Sequence, residues 1–264
     1  KRGKHLWTLI STSKYEIDGV EFIYGKLSKY NPDASLKFVE PDIHEEVERD
    51  EPNLSIATAP FVYVPSQSGL AFLHDARNIP HWLFANRFGE IAEDTISNFF
   101  GYCEVEPISD LRTFAAKIRM LDTISAISAK VSPPNPLFGP LWESLRDYLR
   151  NRRLESLQVK EDALPGQSIE TELTEVVEEF ALREEEGTRM EERTLTMTDA
   201  AVLMAADGYG EGIIHGTTGK RLITIKTSES ARNFSFDRDP EPADLGKAAI
   251  DMFKRIEKGR NLKH

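Results

Sequence analysis

In the first hundred residues, apolar positions come in short blocks or loose alternation broken by turn residues, a strand pattern. Leu6–Ile10 and Val20–Leu27 are two such blocks, with Asp18-Gly19 as the turn between them. Ile56–Val64 alternates, and Pro65-Ser66-Gln67-Ser68-Gly69 punctuates before Leu70–Leu73, which predicts a hairpin. Asp33–Asn53 is rich in acids and prolines and reads as an exposed loop. From Ile79 to Phe100 the period becomes helical, with Phe88, Ile91 and Ile96 recurring on one side.

Tyr102–Glu106 reads as a short strand, and Ser109 as the N-cap of a helix carrying Leu111, Phe114, Ala115, Ile118 and Leu121. Ile124–Val131 is a further strand, stopped by Ser132-Pro133-Pro134-Asn135-Pro136 because proline has no N–H for a ladder. The chain then turns helical. Leu137, Leu141, Leu145, Tyr148 and Leu149 form one stripe. After Leu164-Pro165-Gly166, Ser168 caps a helix with Ile169, Leu173, Val176, Val177 and Phe180 on one face. Thr198 caps a short helix, Asp199–Ala206. Strands Gly212–His215 and Arg221–Thr227 flank a turn at Gly216–Lys220, and a last helix runs from Pro242 to Lys258.

The order predicts an α+β protein: an antiparallel sheet with helices on one face, for which a ferredoxin-like sandwich is one arrangement, then a helical segment and a C-terminal hairpin–helix portion. The expected domains are 1–136 (sheet), 137–192 (helical, first basic and then acidic) and 193–264 (small α+β).

At 264 residues, 40% apolar and 29% charged, the chain can bury a substantial core. No apolar run approaches the length of a membrane span, and Lys1–Ile10 is too short an apolar stretch for a signal peptide. Cys103 is the single cysteine, which fits a reducing cytoplasm. The net charge of −11 is local: Glu161–Glu192 holds twelve carboxylates against Arg183 and Arg189, a surplus of −10 that leaves about −1 elsewhere. The overall acidity therefore does not bar another face from a polyanion.

Familiar catalytic patterns are missing. The histidines show no paired metal-ligand spacing, and His44-Glu45-Glu46 is as readily an acidic loop as a ligand set. Gly216-Thr217-Thr218-Gly219-Lys220 resembles the end of a phosphate loop, but Ile214 replaces the first glycine and Arg221 the metal-binding hydroxyl, so a hairpin turn is expected. No lysine has the carboxylate neighbour of the common nuclease pattern, and there is no G-x-S-x-G elbow. Ser11-Thr12-Ser13-Lys14 and Lys226-Thr227-Ser228 match serine-acylase motifs by chance. Cys103 reads as a packed strand residue, and Asp237-Arg238-Asp239 as ordinary helix-start chemistry. No metal and no cofactor is called for, and the balance leans away from an enzyme.

Three features could carry function. Arg146, Arg150 and Arg153, spaced i, i+4 and i+7, lie within about 60° of one another on a helix. Arg152 adds charge and Trp142 borders them. Arginine forks suit phosphate oxygens; the alternatives are a solvated face or pairing with the acidic helix, within one chain or across a dimer. Lys254, Arg255, Lys258, Arg260 and Lys263 make a basic C-terminus that the helix dipole alone would favour. Asp207-Gly208-Tyr209-Gly210, with Gly212 after it, is either a helix end or a ligand loop.

Leu121-x-x-Ile124-x-x-Ile127 running into Ser132-Pro133-Pro134-Asn135-Pro136, and Asp207-Gly208-Tyr209-Gly210 after a short helix and before a hairpin, give a partial resemblance to the RexA/KwaB-like group of bacterial and phage-encoded antiphage defence proteins. That resemblance implies a homodimeric, non-catalytic, DNA-associated sensor or effector that excludes phage. Its DNA contacts would be Arg146, Arg150, Arg152, Arg153, Lys254, Arg255 and Lys258 on helical geometry. The rival expectations are a protein-interaction module or nucleic-acid mimic using the acidic segment 161–192, and an unrecognised metal-dependent hydrolase or nuclease.

Overall fold

Four antiparallel strands at the start of the chain, β1 (Leu6–Ile17), β2 (Val20–Glu40), β3 (Glu45–Val64) and β4 (Gly69–Phe72), form a meander in the order β1-β2-β3-β4. Asp18 (φ 52°) and Gly19 (φ 75°) both take the left-handed conformation, which matches a tight hairpin to the twist of its strands. Helix α1 (His81–Thr95) covers one face: Phe84 and Phe88 pack on Phe61 at ring-centroid separations of 6.3 and 5.1 Å, beside Leu27 and Ala59. Gly25 makes room for that ring, since a Cβ there would lie 2.7 Å from Phe61 Cζ. On the other face the first turns of α6 (Pro242–Gly259) approach so closely that a Cβ on Gly246 would lie 2.4 Å from Phe22 Cζ. The coordinates come from a computed structural model, which describes residues 5–95, 103–132, 143–186, 188, 195–236 and 240–259.

The expected loop at 33–53 is instead a ribbon. The last β1–β2 pair is Leu6↔Tyr30 and the last β3–β4 pair Phe61↔Phe72, so among the described residues β2 and β3 continue from Asn31 to Leu54 with only each other as partners. Cross-strand neighbours hold it: Phe38 faces Val47, the Ser35 hydroxyl donates to Glu48 (2.5 Å), and Lys37 reaches Glu46 (2.6 Å). Pro52 is tolerated because this stretch of β3 has one open edge.

A second sheet has the order β6-β5-β7-β8, again antiparallel throughout, from β5 (Thr123–Val131), β6 (Leu157–Asp162), β7 (Gly210–Thr218) and β8 (Arg221–Lys226). Four helices go with it: α2 (Leu111–Arg119), α3 (Glu143–Asn151), α4 (Leu173–Glu186) and α5 (Met197–Met204). Helix α5, buried along nearly its whole length, lies against β5, β6 and β7. One core joins Ile127, Val131, Ile214 and Ile225 of the sheet to Phe114 and Ile118 of α2 and Val176, Val177 and Phe180 of α4.

The class is α+β, as expected, but neither sheet follows the βαββαβ order of a ferredoxin-like sandwich: the first is four strands without an intervening helix. The chain also divides elsewhere than at 136 and 192. One unit is Lys1–Val105 with Pro240–Ile250, the other Glu106–Asp239 with Asp251–His264. Segment 137–192 is no separate arm, because it contains β6, hydrogen-bonded to β5, and α4, packed on α2. Local signals shift too. Cys103–Glu106 is not a strand. Asp110, not Ser109, caps α2 by accepting from the Thr113 N–H at 2.8 Å, while buried Ser109 donates to the Thr227 carbonyl. Thr196, not Thr198, caps α5. Helix α4 begins at Leu173 because the Ser168 hydroxyl accepts from the Ile124 N–H instead of capping a turn.

Candidate nucleic-acid interface

Buried Leu145 and Leu149 turn one side of α3 into the core and leave the other in solvent. The helix stops at Asn151. Arg153 takes a left-handed φ of 54°, its N–H bonding the Arg150 carbonyl at 3.0 Å, and the Leu154 N–H reaches back to the Leu149 carbonyl, also at 3.0 Å. This is a Schellman-type ending with arginine where glycine is usual, at a cost of about 1 kcal/mol for the unfavourable φ. The i, i+4, i+7 stripe therefore does not extend to Arg153, because the helix has ended by then. What remains instead is three exposed arginines, Arg150, Arg152 and Arg153, in the last turn and the chain just beyond it. Arg152 lies 5.3 Å over the Tyr148 ring. Among the described residues no carboxylate lies within ion-pair distance of any of the three. The backbone of Arg146 is on α3, but its side chain, like that of Lys258, falls outside the described residues, as do Trp142, Arg260, Lys263 and Asp237-Arg238-Asp239.

Lys254 and Arg255 are exposed on α6. Arg255 donates from Nε to the Asp251 carbonyl at 3.3 Å and lines a cleft of mixed charge with Arg112, Arg232, Glu184 and Glu185. Its neighbours' carboxylates blunt its pull on a phosphate.

The acidic helix finds its cations inside the chain, and they are not those of α3. Arg112 pairs with Glu185 and Arg119 with Glu178, both from α2, while Arg183 stands 3.9 Å from Glu179 on α4 itself. Arg232 pairs with Glu184 at side-chain exposures of 17% and 7%, and also points Nη1 at Met252 Sδ, 3.7 Å away. Sequence reasoning missed these partners. The seven-residue spacing of Arg112 and Arg119, which puts them on one side of α2, was the available signal; Arg232 carried none.

The glycines of the candidate ligand loop are accounted for by the chain itself. Gly208 has φ 88° and sits under Ile108, and a Cβ on Gly210 would lie 2.0 Å from the Lys130 carbonyl oxygen. Gly212 approaches Thr227, whose Oγ1 accepts its N–H at 3.1 Å. Tyr209 is half-buried against the core, and its carbonyl accepts from the Ser132 N–H. Asp207-Gly208-Tyr209-Gly210 is thus the tight entry into β7, with no ligand needed to explain it.

Among the described residues, reactive groups are not gathered. Burial, and then the Glu93 charge, push the Cys103 thiol up, away from thiolate chemistry. Asp199 is also raised, chiefly by burial, although Thr171 donates to it at 2.6 Å. Thr227 is committed to Gly212, and Gly219 (φ 58°) turns the hairpin between β7 and β8. Among the described residues, no group of three or more His, Cys, Asp or Glu side chains is placed to hold a metal ion, and no helix is long and apolar enough to cross a membrane.

No curated protein and no solved structure gives a significant match to this chain. A family profile does, over residues 1–189, a span that includes the first sheet, the arginine end of α3 and the acidic helix. That match covers most of the sequence, and the chain belongs to the family described as Domain of unknown function (DUF4747).

Proposed function

We propose that this protein is a non-catalytic, DNA-associated sensor or effector of antiphage defence, cytoplasmic and homodimeric, which holds phosphate groups with Arg150, Arg152 and Arg153. The observation that carries the reading is the uneven use of arginine. Arg49, Arg87, Arg112, Arg119, Arg183 and Arg232 each have a carboxylate partner. The three at the end of α3 have none among the described residues; Arg77, Arg221 and Arg255 lack one too, but only at the end of α3 do three such arginines fall within four residues, where Arg153 holds an unfavourable backbone conformation. Exposed forks free of counter-charge suit a phosphate backbone, and strained residues gather where function requires them. The resemblance to the RexA/KwaB-like group supports the defence role and the choice of DNA. Lys254 and Arg255 are secondary contacts in this reading.

The test is fluorescence anisotropy with duplex and single-stranded DNA across a salt series, comparing the native chain with Arg150→Glu/Arg152→Glu/Arg153→Glu. The native protein is expected to bind more weakly as salt rises. The variant should lose most of its affinity, and its log–log salt slope should flatten by about 0.9 for each phosphate contact removed on duplex DNA. Equal affinity and slope in the two proteins would remove these arginines from the account, and no detectable binding by the native protein at low salt would remove DNA binding.

A further inference from the structure

Among the described residues no third strand pairs with the ribbon from Asn31 to Leu54, and one of its faces, with Ala34 buried and Leu36 and Val47 half-buried, ends in the exposed Phe38. By register and strand alternation, Leu36 and Phe38 of β2 share that face with Val47 and Arg49 of β3. The Arg49 guanidinium lies 5.4 Å over the Phe38 ring. Phe38 is 38% exposed, and Ile43, in the turn, 56%. A two-stranded hairpin alone is marginal in water and is normally secured by a third strand or a helix; the described residues supply neither here.

Charge narrows what can complete it. The ribbon carries eight carboxylates against Lys37 and Arg49, and both cations are already engaged, with Glu46 (2.6 Å) and Glu40 (3.0 Å). Two ribbons side by side would repel, and so would a phosphate backbone. The occupant has to be cationic and to offer an apolar or aromatic surface. One such surface is on this chain: the end of α3, where Arg150, Arg152 and Arg153 lack carboxylate partners among the described residues and Tyr148 is half-buried beside them.

We infer that the β2–β3 ribbon of one copy docks on the arginine end of α3 of a second copy. The inference rests on reading that end as an anion-binding surface; the homodimer of that reading is then its DNA-free state, with the partner's ribbon and DNA competing for the same guanidinium groups. Carboxylates spaced along a ribbon then stand in for phosphates, and DNA would free the arginines from their partner.

Sedimentation velocity on the full chain tests this. The native protein is expected to associate at low salt and to dissociate as salt rises. Glu45→Lys/Glu51→Lys on the Phe38 face of the ribbon, and Arg150→Glu/Arg152→Glu/Arg153→Glu on the helix end, should each be monomeric alone. Mixing the two should restore association, because the reversed ribbon now meets a reversed helix end. Far-UV circular dichroism shows whether each variant keeps its fold, and the mixing step does not depend on any loss of function. A native chain that stays monomeric at low salt, association untouched by either reversal, or no recovery on mixing would each overturn the inference. DNA titration separates it from the functional reading: a successful charge swap with no DNA binding leaves the ribbon contact standing and removes DNA alone.

Discussion

Helix α4 and the β2–β3 ribbon are both strongly acidic, yet the fold handles them in opposite ways. Helix α4 is met by Arg112 and Arg119 from α2 and by half-buried Arg232, so most of its charge is answered inside the chain. The ribbon has Lys37 and Arg49 alone, each already paired, and no third strand beside it among the described residues. A run of glutamates along the sequence therefore does not mark an interaction surface. What marks one is charge left unanswered after folding, and by that measure the ribbon and the end of α3 stand out while helix α4 does not.

The sharpest way to break the comparison is at Arg232. Removing it with Arg232→Met leaves Glu184 buried without its cation, and stability should fall by about 3–5 kcal/mol in urea denaturation. Arg232→Met/Glu184→Leu should recover most of that loss, because the cost lies in the stranded charge. A single variant as stable as the native protein would mean that α4 is not fixed through this pair.

Asp110 gives a smaller effect with a pH signature. Burial alone would raise its carboxyl, but the Thr113 N–H and hydroxyl, with Arg232 and Arg112 nearby, hold it below the ordinary carboxylate range. A folded-state value lowered in this way adds stability above the unfolded carboxylate pKa and withdraws it as pH falls through the folded one. Asp110→Ala should cost about 1 kcal/mol at neutral pH, the usual worth of an N-cap. Thermal melts of native and variant protein should converge in acid. A gap unchanged down to the lowest pH would deny the carboxylate its role.

The smallest effect sharpens the contrast instead of breaking it. Arg112 and Arg119 are largely exposed, with side-chain exposures of 64% and 67%, so Arg112→Ala and Arg119→Ala should each change stability by no more than about 1 kcal/mol. Their consequence is electrostatic. With both gone, α4 should become an acidic surface, and the variant should bind a cationic probe such as polylysine more tightly than the native protein. Unaltered binding would show that these pairs do not mask the helix.

Much of the fold was legible because period-2 and helical patterns are local. β5 reads from Ile124–Val131, and α6 follows its predicted span closely. The ribbon was not legible, since its acids and prolines resemble a loop and its strand character comes from partners across the turn, Phe38 with Val47 and Leu36 with Arg49. β6 was lost because Leu157 and Val159 lie within a stretch whose neighbours are helical, and only pairing with Val131 and Ala129 makes them a strand. Among site residues, Arg150 and Arg152 needed no more than helix periodicity and an eye for unpaired charge. Arg153 was placed on the wrong geometry, because nothing in its own identity announces a left-handed helix end. The glycines at 208, 210 and 212 suggested a ligand for a similar reason: the backbone they make room for, at Ile108, Lys130 and Thr227, is remote in sequence.

The position of β5 has one further consequence. It lies inside its sheet, between β6 and β7, but the family match ends at residue 189, ahead of β7, β8 and α5. A fragment cut at that point would keep β5 while stripping one side of its ladder and the helix packed over it. The bare edge would carry Ile127, Ala129 and Val131, residues otherwise shut away from water. Such an edge recruits strands from other molecules. The matched region is therefore a unit of sequence recognition and not of folding, and expressed alone it should go to aggregates, whereas a chain running to the end of α6 closes the sheet.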